Sequence, residues 1–169
     1  RIKYSMRIDT NTVVTVKYEL RENDQFGELM EVMNEKYPFE FLFGNGNLLP
    51  AFERNIHGLR SGDSFKFILP VEEAYGGPRE DNIVNVPRKA FEVYGEIPQD
   101  LLQINQQVTI TDDQGDNHTG KILEFDVNTV RVDFNHFMAG KVLYFSGVVL
   151  NVREATVDEI INKHHIPSV

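Results

Sequence analysis

The sequence predicts an α+β fold, in which an antiparallel β-sheet packs on a short helix and a small, mostly-β domain is inserted into it. Three observations predict this. Apolar residues alternate over residues 13–20, 39–43 and 65–69, which is the period of a half-buried strand. A short helix signal begins at Pro50, between the second and third of these runs. After Tyr75 the texture breaks at Gly76-Gly77-Pro78, and the earlier pattern resumes only around residues 135–140.

In the first run Val14, Val16, Tyr18 and Leu20 share one parity, so Tyr18 is expected to face inward. Phe39, Phe41 and Phe43 alternate before Gly44, and Phe65, Phe67 and Leu69 alternate before Pro70. Pro50 suits a first helical turn, where its missing N–H costs nothing, and Phe52 and Ile56 share a helix face four residues apart. Gly58 reads as a left-handed stop with Leu59 as its apolar follower, which predicts a helix over residues 50–57. Residues 77–135 hold five basic and eleven acidic residues, a net of −6, and have their own apolar supply. There Phe91, Val93, Tyr94, Ile97, Leu101, Leu102 and Ile104 precede strand-like runs at residues 108–111 and 130–134, enough for a separate core. The expected division is therefore a discontinuous parent domain, residues 1–76 with 136–169, and an inserted domain, residues 77–135.

A last strand is expected within residues 141–152, where Val148, Leu150 and Val152 alternate. Leu143 and Phe145 have the opposite parity, which a bulge near Gly147 would reconcile. Thr156-Val157-Asp158-Glu159 is a capping box that opens a helix fading at His164.

Composition narrows the function. The 169 residues are 41% hydrophobic and carry a formal net charge of −9, with no basic run. That balance argues against tracking nucleic-acid phosphates or anionic lipid. Cysteine is absent, which removes thiolate chemistry and sulfur-based zinc sites and fits a reducing compartment. No apolar run approaches the roughly 20 residues that span a bilayer, and no signal peptide is evident, so a cytoplasmic location is expected.

Reactive constellations are scarce. The histidines lie at 57, 118, 136, 164 and 165, outside any recognisable nucleophile–base motif. Gly44-Asn45-Gly46 does not continue into a dinucleotide fingerprint, and no phosphate-binding loop exists. Asp112 to Asn117 lacks the spacing of a calcium loop and is read as a hairpin turn; His164-His165 is read as solvated. No metal and no cofactor are expected. The twelve phenylalanines leave two readings open, a sheet core, which is the commoner, and an apolar ligand site.

The order of motifs favours the second reading. Pro38-Phe39-Glu40-Phe41-Leu42-Phe43-Gly44 is followed by Leu48-Leu49-x-x-Phe52-Glu53, Gly58-Leu59-x-x-Gly62-Asp63 and Ala74-Tyr75-Gly76. This succession resembles the FKBP-type peptidyl-prolyl cis-trans isomerases. Asn135-His136-x-x-Ala139-Gly140-Lys141, Leu143-x-Phe145 and Val152-Arg153-Glu154-Ala155-Thr156 resemble the SlyD-like branch, in which an insert-in-flap domain interrupts the fold just after Ala-Tyr-Gly.

The resemblance implies a prolyl pocket lined by Tyr18, Phe39, Leu48, Leu49, Phe52, Tyr75 and Phe145, with Phe52 as its floor in place of the usual Trp or Leu. It also implies that the Leu49 N–H and the Tyr75 hydroxyl hold substrate carbonyls. Two departures stand out. Aligning backwards from Pro38 puts Leu29 and Met30 on the family's apolar-Asp pair, so Met30 replaces the pocket aspartate; a one-residue register change would offer Glu31 instead. Phe137 stands where the branch usually has Pro, and the His- and Cys-rich metal-binding tail of some members of that branch is expected to be absent.

The implied partners are unfolded or proline-containing polypeptides, acted on by a monomer. The insert is implied to capture unfolded chains on exposed apolar surface from Phe91 to Ile104, Leu101 and Leu102 included, biased by its negative charge toward neutral or basic segments. The alternative is a family member that binds peptides or acts as a chaperone with weak or lost isomerase activity.

Overall fold

A computed structural model of the chain describes residues 5–167; residues 1–4 and 168–169 of the expected parent domain lie outside the described residues. The chain forms two compact units, Arg1–Gly76 with Gly140–Val169, and Gly77–Ala139. The return falls four residues later than the expected 136. The reason is local: residues 135–139 close on themselves, with the Met138 N–H donating to His136 Nδ1 and the Ala139 N–H to the His136 carbonyl. Asn135 also clasps the Arg79 backbone in both directions.

The first unit is built on β1 (Thr12–Glu22). On one edge β1 pairs with β3 (Phe39–Leu42) along its first half and with β2 (Leu29–Met33) along its second; on the other it pairs with β9 (Leu143–Glu154) over its whole length. β4 (Ser64–Leu69) follows β9, and every pairing is antiparallel. Helix α1 (Pro50–Ile56) has Pro at its start and buries Ala51, Phe52 and Ile56 against β4. Fully burying a side chain of the size of Ile56 is worth about 2 kcal/mol. Gly58 has the expected positive φ of 84°, which a Cβ would resist. Its N–H, however, donates to the Ile8 carbonyl rather than back into the helix, so α1 is closed by the N-terminal segment.

The β9 parity needs correction. Leu143, Phe145 and Val149 are the buried residues, and Gly147 sits in register opposite Tyr18 and Phe65. A Cβ on Gly147 would lie 2.1 Å from the Lys17 carbonyl oxygen and 2.7 Å from the Phe65 ring, so this glycine permits close packing and makes no bulge. The bulge lies three residues on, at Leu150, which is skipped between the Thr15–Asn151 and Val16–Val149 pairs.

The capping box is present at α2 (Val157–Asn162). Glu159 is fully buried and accepts from both Arg153 terminal nitrogens at 2.8 Å and from the Thr156 and Ile166 amides. That paired geometry locks α2 to the end of β9.

The second unit is a four-stranded antiparallel sheet in the order β5 (Ile83–Pro87), β8 (Thr129–Asp133), β7 (Asn117–Phe125), β6 (Gln107–Thr111). β6 and β8 coincide with the strand-like runs at residues 108–111 and 130–134; β5 and β7 are further strands outside those runs. Phe91, Val108, Ile122, Val130 and Val132 form its core, with Ile97, Leu101 and Leu102 packed against it. The Asp112 carboxylate accepts from the Gln114 and Asp116 amides and from the His118 ring, so it builds the expected β6–β7 hairpin turn. Among the described residues no helix is long and apolar enough to cross a membrane.

Candidate active site

The strand parities of the first unit aim a set of rings at one place. Tyr18 on β1 meets Phe39 on β3 edge-on at 6.2 Å between centroids, Phe52 on α1 at 6.2 Å and Phe145 on β9 at 5.5 Å. Phe52 is the hub: it lies 5.0 Å from Phe145 and 5.5 Å from Phe67, and it also touches Phe41 and Phe65. Edge-to-face rings at these separations add about 1 kcal/mol per pair beyond burial. Tyr18, Phe52 and Phe145 are buried, Phe39 is half-buried, and Leu48 and Leu49 are half-buried just before α1.

One polar pair stands among these rings. The Tyr18 hydroxyl donates to Glu31 Oε1. Strand register explains why Glu31 holds this place. Tyr18 pairs with Met33 and Leu20 with Glu31, so Tyr18 and Glu31 are diagonal neighbours on one face. Met30 is skipped between the Leu20–Glu31 and Arg21–Leu29 pairs, and that bulge shifts the strand by one residue. The expected replacement of the pocket acid by Met30 is thereby corrected: Met30 is the bulge residue, Leu29 is exposed on the strand's outer end, and Glu31 brings the carboxylate. A one-residue slip moves every side chain to the other face, which is how backward alignment from Pro38 misplaced the pair.

Electrostatics draws Tyr75 into the same place. Burial first, and then the hydrogen bond to Glu31, pushes the Tyr18 phenol well above its ordinary range. Burial and the nearby Glu31 charge raise the Tyr75 phenol as well. Both hydroxyls therefore stay protonated and able to donate throughout the physiological range. Tyr75 itself is 40% exposed, at the open side.

The remaining expected site residues lie elsewhere. Phe91 is a buried core residue of the second unit, and Leu101 and Leu102 are packed onto that core, so the three do not form an exposed binding surface. The apolar residues exposed in that stretch are Val93, Tyr94 and Ile104, with Tyr94 wholly in solvent at a turn where its φ is 54°. One ring of the cluster escaped sequence reasoning: Phe67, seen only as a strand residue, lies 5.4 Å from Phe145. Glu31, the one carboxylate in β2, was offered by the sequence only as the outcome of a one-residue register change, and that is the register the strand adopts. No three or more acidic or histidine side chains converge to hold a metal ion among the described residues.

Residues 5–130 match the family model of the FKBP-type peptidyl-prolyl cis-trans isomerases. The FKBP-type peptidyl-prolyl cis-trans isomerase SlyD of Vibrio cholerae is 35% identical over 159 residues, which cover 94% of this chain and 75% of that protein. The SlyD of Haemophilus influenzae is 33% identical, with 94% and 80% covered. A probable FKBP-type 16 kDa peptidyl-prolyl cis-trans isomerase of Pseudomonas fluorescens is 33% identical over 147 residues, 87% of this chain and 93% of that protein. Matched by the family model over most of its length and by these relatives over nearly all of it, the chain belongs to the FKBP-type peptidyl-prolyl cis-trans isomerases and is SlyD-like.

Proposed function

We propose that isomerisation takes place on the ring cluster of the first unit, with Tyr18, Phe39, Phe52 and Phe145 as walls and floor, Leu48 and Leu49 as the rim, and Glu31 and Tyr75 as the polar groups. The observation that carries this reading is the convergence of rings from β1, β3, α1 and β9 around the Tyr18–Glu31 pair.

Rotation about an Xaa-Pro bond faces a barrier of roughly 20 kcal/mol, because the planar amide gives up its resonance on the way. No atom is attacked and no proton moves. The twisted amide is less dipolar than the planar one, so an apolar enclosure penalises the ground state more than the transition state. The Leu49 N–H and the Tyr75 hydroxyl hold carbonyls of the flanking peptide while the other side of the bond turns, which is catalysis by orientation. Glu31 holds the Tyr18 ring at one setting. No metal or organic cofactor takes part. The reading of a binding protein with decayed activity drew its support from a missing carboxylate, and Glu31 removes that support.

The second unit is proposed to act as a chaperone that captures unfolded segments on Val93, Tyr94 and Ile104. An open groove of about 870 Å³, lined by Pro78, Lys121, Phe134, His136 and Phe137 among others, offers further apolar surface. Its acidic balance favours neutral or basic segments, and tethering raises their concentration near the first unit. A monomer in the cytoplasm, with neither nucleic acid nor membrane as partner, completes the proposal.

The test is proline-limited refolding of a reporter protein with Tyr75→Ala and Phe145→Leu variants, Leu being chosen because Phe145→Ala would also open a cavity. Both variants should slow catalysis. Full rate enhancement from both would overturn the site. Deleting residues 77–139 should lower protection against aggregation more than activity on a short Xaa-Pro peptide, and equal losses would contradict the proposed capture role.

A further inference from the structure

The loop over residues 44–48 leads from β3 into Leu48 and Leu49 and then α1. It contains two glycines at positive φ, Gly44 at 86° and Gly46 at 83°, and nothing lies within 4 Å of a Cβ on Gly46, so neither regular pairing nor packing at that point holds it. Within the loop the Asn47 N–H donates to Asn45 Oδ1 at 3.0 Å, and the Gly44 N–H reaches Glu53 Oε1 of α1 at 3.4 Å. Among the described residues, its hydrogen bonds to any more distant element all end on one atom. Asn45 Nδ2 donates to the Lys163 carbonyl at 2.5 Å, and Asn47 Nδ2 to the same oxygen at 3.4 Å.

That oxygen is well placed to serve as an anchor. Lys163 is the C-cap of α2, in the left-handed conformation at φ 58°, and its carbonyl is one of those a helix end leaves without an intrahelical partner. Helix α2 is in turn locked to β9 through the paired bonds from half-buried Arg153 to buried Glu159, and the Ile166 N–H beyond it donates to Glu159 Oε2 at 2.6 Å. β9 carries Phe145. The loop bearing Leu48 and Leu49 is thus referenced, through Asn45 and α2, to the same strand that supplies Phe145 to the ring cluster.

We infer that Asn45 is a positioning residue for isomerisation: it ties the loop bearing Leu48 and Leu49 to the C-terminal helix and so fixes the gap between that rim and Phe145. The inference rests on the site reading above. Asn45 touches no substrate. A rim held at the wrong height weakens the grip on the flanking peptide equally in the planar and twisted states, and such uniform loss appears in KM rather than kcat.

The experiment compares Asn45→Asp, which keeps the oxygen that accepts from Asn47 but loses the donor to Lys163, with Asn45→Ala, which loses both. Steady-state isomerisation of a short Xaa-Pro peptide is followed with thermal unfolding and with the amide resonances of Leu48 and Leu49. The expected result is KM raised about fivefold in both variants, the equivalent of one hydrogen bond of ordinary net strength, with kcat retained and the two leucine amides shifted. Unchanged KM in both variants, or a fall in kcat alone that tracks lost folded protein, would overturn the inference. Tyr75→Ala and Phe145→Leu are measured alongside. Full activity in both means the site reading has failed; reduced activity there with normal Asn45 variants means that only the positioning role has failed.

Discussion

The two units use their apolar residues in opposite ways. In the first, a five-stranded sheet with valines and leucines on β1 and β9 makes a core, and the aromatic residues of β1, β3, α1, β4 and β9 gather around Phe52 and open toward Tyr75. In the second, Phe91 and the partly buried Leu101 and Leu102 serve the core, and the exposed large apolar residues, Val84, Val93, Tyr94, Ile104, Phe125, Val127 and Phe137, are spread over its strands and turns. Size explains the contrast. A domain of about 60 residues buries only about 60% of its unfolded surface, so the few large side chains that the inserted unit does bury, Phe91 first among them, are committed to its core. An aromatic residue in a strand-like run is therefore a candidate for function only where the core is already complete without it.

The largest expected effect would break this comparison outright. Phe91→Ala should cost about 3–5 kcal/mol and melt the inserted unit, leaving turnover of a short Xaa-Pro peptide intact. Denaturation followed by resonances from each unit checks it, and a stable variant with reduced chaperone activity would return Phe91 to a binding surface. Next, Glu159→Ala should destabilise the first unit by about 3 kcal/mol, since it strands Arg153 beside a vacated site. The Arg153 guanidinium, with the Thr156 and Ile166 amides, holds the Glu159 carboxyl far below the ordinary range against the opposing effect of burial. A depressed folded pKa gives stability that is fully present above the unfolded value of about 4.3 and is lost as pH falls toward the folded one. Denaturation midpoints for the wild type should thus decline below about pH 4.3 more steeply than those of Glu159→Gln; parallel curves would refute the assignment.

Two smaller effects sharpen the contrast. Glu31→Ala should lower kcat/KM about tenfold, the equivalent of one charge-assisted hydrogen bond that no longer orients Tyr18, with Met30→Ala changing it far less. The reverse ranking would restore Met30 as the pocket residue. In the second unit Tyr94→Gly relieves a bulky residue at positive φ and should raise stability by about 1 kcal/mol while weakening protection of an aggregating reporter. Weakened protection without added stability would show that the turn tolerates tyrosine at no cost.

Some of the site was legible early because its signals are short-range. The inward parity of Tyr18 and Phe39, the placing of Phe52 by Pro50, and the Thr156–Glu159 capping box each depend on residues within a few positions of one another. The two errors of register, at Met30 and at Gly147, share a different origin. Each concerns which residue of a strand a bulge skips, and that is decided by the partner strand: Leu20 and Arg21 for Met30, Thr15 and Val16 for Leu150. Alternation along one strand contains no information about the other's count.

The sequence by itself determined the chemical character of this protein: an acidic, cysteine-free chain, an α+β pattern of strands and one short helix in the first part, a separable insertion, and an aromatic set without a nucleophile among it. Periodicity, capping and composition act over one or two turns of chain, so they survive without neighbours. Tertiary structure alone decided that Glu31 faces Tyr18, that Phe91 belongs to a core, and that Asn45 reaches the Lys163 carbonyl more than a hundred residues away. Those choices depend on cross-strand register and on which surfaces exclude water, and both exist only once distant segments have met.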